Sequence, residues 1–369
     1  MKKILIIIYF SLPVSIFCQE IDNLDYTTNS YEDLAFLKEI IGNKRIVCLG
    51  EEDHWYGEYF QLKNRVIKYL IDELGFRIIV FEASGKNSFI TEVKDLTISQ
   101  KVKLTLNNYW RTESVYDLME FIAKRQEVTQ IGIDIISFDE TDSIYINTLK
   151  EIIFPIDSTL FNQYQYIDKK ISEAQNRFQA KSKSLAPIEG IQYTKVINKV
   201  INTIKENKTL VQKKLTTQQF DYLLYALDCS LKEIIFLQKK GLFAHMQYRD
   251  KAMAENLKWI IEHYESEEKI IVWAANLHIA RNPSLEKRFE RKKFKSMTAV
   301  FDTSIQNELV ILPLSPIKFI EKKKEKGRIK SKVVFIKEEK LPFSEKMKGI
   351  NGGFYFRELT SFRNFLKEN

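Results

Sequence analysis

At 369 residues, with 44% hydrophobic and 29% charged positions, the chain can bury one large core and reads as a folded protein, which excludes the disordered and fibrous classes. The formal net charge of +8 is not spread evenly, because residues 318–332 alone hold eight basic and two acidic residues. A nucleic-acid surface would interleave aromatics with that charge on one face, so the run reads as a solvated loop and no nucleic-acid partner is expected.

Residues 1–18 combine Lys2 and Lys3 with an apolar stretch interrupted by Pro13, and an acidic, Asn-rich segment follows. That is the pattern of a signal peptide, too short and too soon polar for a membrane span. Export to the periplasm or the medium is expected, with residues 19–369 as a single domain. Cys18 is a candidate lipid-anchor residue, although Phe17 is bulky where a lipid-attachment signal wants a small one. Cys48 and Cys229 fall inside a predicted strand and a predicted helix, as small core residues rather than halves of a disulfide.

The apolar stripe Leu34, Leu37, Ile40 and Ile41 predicts a helix over 31–41, stopped by Gly42 and Asn43. A short apolar run over 45–49 follows, then a polar turn. Next comes a helix carrying Tyr59, Leu62, Val66, Tyr69 and Leu70, with Gly75 at its C-cap, and a second unbroken apolar run over 77–81. Unbroken runs suit strands buried on both faces, so this is a βαβ unit with parallel strands. One or two helices are predicted over 88–108, a loop over 108–112, and a helix with Val115, Leu118, Met119 and Ile122. Residues 130–135 form a third strand ending near Asp134. From about 144 to 264 only helical patterning occurs, which predicts a helical insertion. Strands resume at 269–273, 297–301, 308–312 and 332–336, the last at the sheet edge. The expected fold is α/β, with a mostly parallel central sheet flanked by helices.

In such sheets, functional groups collect beyond the carboxyl ends of the strands. Here Glu51, Glu52, Asp53 and His54 follow the first strand and Glu82 the second, while Asp134 closes the third and His278 lies just past the strand at 269–273. A histidine among carboxylates suits general-base work, because its ordinary pKa lies near neutrality and an acid can orient it and stabilise its cation. His245 precedes Arg249 by four residues, so the two share one helix face in a pair that suits an anion. His263, among glutamates at a helix end, reads as solvated. There is no GxSxG elbow, phosphate loop, GxGxxG turn or HExxH pair. What remains is a hydrolase that activates water without a covalent protein nucleophile. Two alternatives stay open. One is a divalent metal held by Glu51, His54, Glu82 and His278. The other is an exported haem- or metal-binding protein without catalysis, with Trp55, Tyr56, Tyr109 and Trp110 lining its groove.

Several blocks resemble the erythromycin esterase family: residues 49–63 (LGEEDHWYGEYFQLK), the FEA strand with Glu82, GID ending at Asp134, residues 249–260 (RDKAMAENLKWI), and residues 273–281 (WAANLHIAR). The family's first motif is similar to GE-x-x-H-x-x-x-E, which Gly50, Glu51, His54 and Glu58 match in register. The resemblance implies an α/β fold with a helical insert, an ester- or lactone-hydrolysing cleft, His54 as the base that activates water, and Glu51 and Glu82 as the groups that hold and tune it. It implies no metal. Members that inactivate macrolide antibiotics open the lactone ring. Glu58, Lys63, Asp134, His245, Arg249, His278, Trp55 and Tyr56 are expected in supporting or substrate-binding roles. The later motif, similar to W-x-H-N-x-H, stands here as WAANLH, with Ala275 at the earlier histidine and His278 kept. Trp55 and Tyr56 occupy places where small residues are common, and Asp53 replaces a usual Thr, so the cleft is expected to be narrowed or reshaped.

Overall fold

The computed structural model describes residues 21–106, 108–136, 142–179, 185–264, 267–281, 294–316, 333–337 and 351–356. Residues 1–18, expected to be a signal peptide, with Cys18 among them, and the basic run at 318–332 lie outside them.

The chain begins with β1 (Ile21–Leu24), a 3-10 turn at Glu32–Leu34 and the short helix α1 (Leu37–Ile41). The helix expected over 31–41 is thus two pieces with a break between them. Next come β2 (Ile46–Leu49), α2 (Gly57–Asp72), β3 (Ile78–Ser84), α3 (Gly85–Val93), α4 (Ile98–Thr105), α5 (Glu113–Ala123) and β4 (Thr129–Asp134). The helical block is α6 (Asp142–Ile153), α7 (Ser158–Gln179), α8 (Pro187–Glu206), α9 (Lys208–Val211), α10 (Thr217–Leu237) and α11 (Leu242–His263). Strand β5 (Ile270–Trp273) and the one-turn helix α12 (Asn276–Ile279) follow, then α13 (Thr303–Glu308), β6 (Leu309–Leu312), β7 (Leu314–Pro316), β8 (Val333–Lys337) and β9 (Gly352–Phe356).

Five strands form a wholly parallel sheet in the order β4-β3-β5-β2-β6. The strands of the expected βαβ unit are therefore parallel but not neighbours, since β5 lies between them. Their unbroken apolar runs alternate between two cores, as a sheet covered on both faces requires. Ile46, Cys48, Ile78, Val80, Ile270 and Val272 face the helical block and α3. Val47, Leu49, Ile79, Phe81, Ile271 and Trp273 face α2, α5 and a second sheet. Cys48 and Cys229 are free and buried, and burial pushes each thiol up to about 12.

The second sheet, in the order β1-β8-β9-β7, joins the first and last described parts of the chain. Here two expectations are corrected. The strand at 332–336 exists as β8 but is paired on both sides, by β1 and β9, and not at the edge of the main sheet. The strand expected at 297–301 is a 3-10 turn, Thr298–Val300. Its chain folds back because the Met297 N–H is drawn to Asp250 Oδ1 (2.8 Å) and the Thr298 hydroxyl to the Ile279 carbonyl (2.6 Å).

The helical block is tied to the sheet by a buried ion pair. Lys86, in the first turn of α3, meets Asp168 of α7 and lies 4.4 Å from the centre of the Tyr145 ring of α6. Burial opposes the Lys86 charge, but Asp168 and the surrounding oxygens outweigh it, so its pKa is raised and the ammonium persists.

Candidate functional site

Each of four neighbouring parallel strands delivers part of one polar cluster at its carboxyl end. After β2 the chain must turn immediately, and Gly50 makes the turn possible: a Cβ there would meet Asn276 Oδ1 at 1.9 Å and Ile279 Cδ1 at 2.7 Å. The Gly50 N–H donates to the Leu312 carbonyl, and the Asn276 N–H donates to the Glu51 carbonyl (2.8 Å). Asn276 Nδ2 also donates to Glu52 Oε2, the Leu314 carbonyl and Ser315 Oγ. The loop that carries Glu51 and His54 is thereby clamped on two sides.

Glu51 is fully buried. Its Oε1 lies 3.0 Å from His54 Nδ1, and its Oε2 is contacted by Lys63 Nζ. Lys63 comes from the second turn of α2 and lies over the Trp273 ring (4.6 Å) with no exposure, so burial lowers its pKa. With Nδ1 facing a carboxylate, the Nδ1–H tautomer is favoured and Nε2 is left as the acceptor. Among the described residues Nε2 has no hydrogen-bond partner. The His54 side chain is one-third exposed, the least covered group of the cluster. Burial lowers its pKa from the usual 6.5, partly opposed by Glu82, with the His278 and Arg249 cations pushing the same way as burial. Trp110 Nε1 approaches Nδ1 at 3.5 Å, and the Tyr109 ring stacks over the imidazole at 6.2 Å.

The second half of the cluster centres on Arg249 of α11. Strand β3 carries one extra residue relative to β4 between Phe81 and Ser84, a bulge of the kind that re-aims side chains beside functional sites. Gly132 on β4 allows the close approach, since a Cβ there would meet the Ala83 and Ser84 carbonyl oxygens at 2.5 Å. Glu82, at the bulge, accepts from Arg249 Nη2 (2.7 Å), from the Ala275 N–H (2.8 Å) and from His278 Nε2 (3.2 Å). Asp134 takes Arg249 in a two-pronged pair, Nε to Oδ1 at 3.0 Å and Nη2 to Oδ2 at 2.5 Å. His278 Nδ1 faces Asp250 at 3.0 Å. Burial pushes the Glu82 carboxyl up, but His278 and Arg249 outweigh it and hold it well below the usual carboxylate range. Burial pulls His278 down, and Asp250 and Glu82 reverse that, raising it to about 10, so both ring nitrogens carry protons at neutral pH. Arg249 lies 3.1 Å from His278 Nε2, cation beside cation, which only the three surrounding acids make tolerable.

The structure therefore brings Glu51, His54, Lys63, Glu82, Asp134, Arg249 and His278 into one region. Tyr56 is the N-cap residue of α2, its ring against Tyr59 (5.7 Å), and Glu58 is buried in that helix's first turn, where an acid suits the helix dipole. Trp55 is half exposed at the rim. His245 is not drawn in: its Nδ1 pairs with the Gly241 carbonyl (2.9 Å) and its ring packs on Phe236, so the pair with Arg249 is not an anion clamp. His263 stacks on Trp259 (4.5 Å). Asp250, fully buried and partner to His278 and to the Met297 N–H, carries a role that sequence reading missed. Its signals were its position beside Arg249 and its place in the family-like block at residues 249–260.

The alternative metal ligands do not form a free donor set. Both Glu51 oxygens serve His54 and Lys63, Glu82 serves Arg249, His278 and Ala275, and both His278 nitrogens face acids. Among the described residues no group of three or more His, Cys, Asp or Glu side chains is arranged to hold a metal ion. No helix among them is long and apolar enough to cross a membrane.

The erythromycin esterase family profile matches residues 71–303. The chain belongs to the erythromycin esterase family. As a family member it is 26% identical over 278 residues to "Putative hydrolase YbfO" of Bacillus subtilis, across 70% of this chain and 61% of that protein. It is 25% identical over 295 residues to "Erythromycin esterase type II" of Escherichia coli, across 71% of this chain and 67% of that one. The family member thus spans about three fifths of the first of these curated relatives. By fold it is similar to a succinoglycan biosynthesis protein (TM-score 0.71, 16% identity, 95% of this chain and 96% of that one). It is also similar to an erythromycin esterase EreC variant in its open conformation (TM-score 0.57, 14% identity, 78% and 74%).

Proposed function

We propose that the protein hydrolyses carboxylic esters or lactones, with His54 as the general base. The observation that carries the reading is the orientation of His54: Nδ1 is held against the buried Glu51 at 3.0 Å, and Nε2 has no partner among the described residues, on a side chain that is one-third exposed. Water at Nε2 gives up a proton as its oxygen attacks the ester carbonyl carbon. The resulting imidazolium is stabilised by Glu51, which Lys63 in turn holds in place. The tetrahedral intermediate then expels the alkoxide, and Nε2 returns the proton to it. Glu82, fixed by Arg249 and His278, supplies a permanent negative charge near the imidazolium, and the lowered pKa of His54 keeps the free base neutral at physiological pH. No metal enters this chemistry. Membership of the erythromycin esterase family supports an ester-bond hydrolase, and a small-molecule substrate follows from that. Export through the leader at residues 1–18, to the periplasm or outside, belongs to the same proposal, as does a lipid anchor at Cys18.

The test is a panel of esters and lactones offered to the wild type and to His54→Ala. A positioned base contributes about 10²–10⁴-fold, so the variant should lose that much of kcat while keeping the wild-type fold by circular dichroism. Equal turnover by the two proteins would remove the proposal.

A further inference from the structure

The helical block carries a groove that shares no residue with the cluster around His54. It lies between α7 and α8 and encloses about 450 Å³, within the 300–1,000 Å³ range of small-molecule sites. Thr159, Asn162, Gln163 and Tyr166 line it at i, i+3, i+4 and i+7, which is one face of α7. Gln192 and Tyr193 line it from α8, and the buried Ile167 adds an apolar wall. None of the lining residues is charged. Charge is plentiful elsewhere on α7: residues 158–167 hold none, and residues 168–177 hold five charged residues. Lys170, one turn beyond Tyr166, lies 5.7 Å from the centre of that ring but is paired with Glu173 at 2.8 Å, so the two bring no net charge. The six polar side chains named here make no side-chain hydrogen bond among the described residues. Their donors and acceptors are unspent, and they converge on one space.

We infer that the groove between α7 and α8 binds a neutral carbohydrate. Each of the three amides offers both a donor and an acceptor, and so do the hydroxyls of Thr159 and the two tyrosines. That mixed set matches sugar hydroxyls, each of which is also donor and acceptor. Tyr166, 59% exposed, supplies an aromatic face. Such a face is electron-rich, and it suits the C–H groups on one side of a pyranose ring. An ionic ligand would find no counter-charge in the lining, and a wholly apolar one would leave the amides unpaired. The inference concerns binding alone and stands apart from the hydrolase reading.

The test is an array of neutral and acidic oligosaccharides built from glucose, galactose, mannose and N-acetylhexosamines, probed with the full chain. Those retained are then titrated in solution by calorimetry. Neutral members should be retained. Tyr166→Ala, which removes the ring, should weaken them by about tenfold, and Tyr166→Phe, which keeps it, should bind nearly as the wild type does. Asn162→Leu combined with Gln192→Leu should also cost about tenfold, the order expected of two lost hydrogen bonds. All three residues are exposed, so the urea unfolding midpoint should not move in any variant. Retention of no neutral oligosaccharide, retention of acidic ones alone, or equal binding by wild type and variants would overturn the inference and leave the hydrolase reading untouched.

Discussion

His278 offers a way to weigh the buried network without knowing the substrate. Its pKa is raised from 6.5 to about 10 by Asp250 and Glu82, against the opposing effect of burial. A group whose folded pKa exceeds its unfolded value stabilises the fold fully below the unfolded pKa, and that contribution is withdrawn as pH climbs through the folded one. At about 1.36 kcal/mol per unit, the full contribution is on the order of 5 kcal/mol, and about 2–3 kcal/mol of it should disappear between roughly pH 7 and pH 9. The perturbation is His278→Gln, which removes the charge and keeps a polar side chain of similar reach. Urea unfolding followed by tryptophan fluorescence, run across that range on both proteins, measures the difference while other titrations common to both cancel. The variant should be the less stable at neutral pH, and the gap to the wild type should narrow by about 2–3 kcal/mol by the alkaline end. Parallel stability curves would refute the protonated, acid-bridged His278 described above.

If His54 is the base, kcat/KM should rise with pH through a midpoint below 6.5, because burial lowers its pKa and only the neutral ring accepts a proton; a midpoint above neutrality in a pH–rate profile would contradict this. Gly50→Ala forces a methyl to within 1.9 Å of Asn276 Oδ1, whose side chain is pinned by Glu52 and the Leu314 carbonyl, and should cost about 1–3 kcal/mol by thermal or urea unfolding. Lys86→Met removes the ammonium that faces the buried Asp168 carboxylate and should destabilise by about 3–5 kcal/mol, whereas Lys86→Met with Asp168→Leu should recover part of the loss in the same unfolding assay.

The parts of the site that announce themselves in sequence are those at strand ends. Glu51, His54, Glu82 and Asp134 each follow an unbroken apolar run, and in a parallel sheet all such ends share one rim. Arg249 and Asp250 are harder to read, since a charged residue inside a helix looks the same in sequence whether it faces solvent or a buried counter-ion. His245 shows the converse: its spacing from Arg249 is right, but a local bond to the Gly241 carbonyl turns the ring elsewhere. In the fold, the central sheet and helical block are legible from period. The second sheet is less so, because its strands are short and β7 and β9 contain Pro316, Gly352 and Gly353. The apolar run MTAVF reads as a strand, and only its contacts to Asp250 and Ile279 make it a turn.

The position of β5 between β2 and β3 bears on how the protein is made. As the chain leaves the ribosome, residues 46–49 and 78–84 emerge early, yet neither can pair along that side until residues 270–273 arrive some two hundred positions later. Two open strand edges must wait through synthesis of the whole helical block, and such edges attract wrong partners. A truncated product ending before β5 would expose both of them and would lack His278 entirely, so it should collect in aggregates and never as a weakly active fragment.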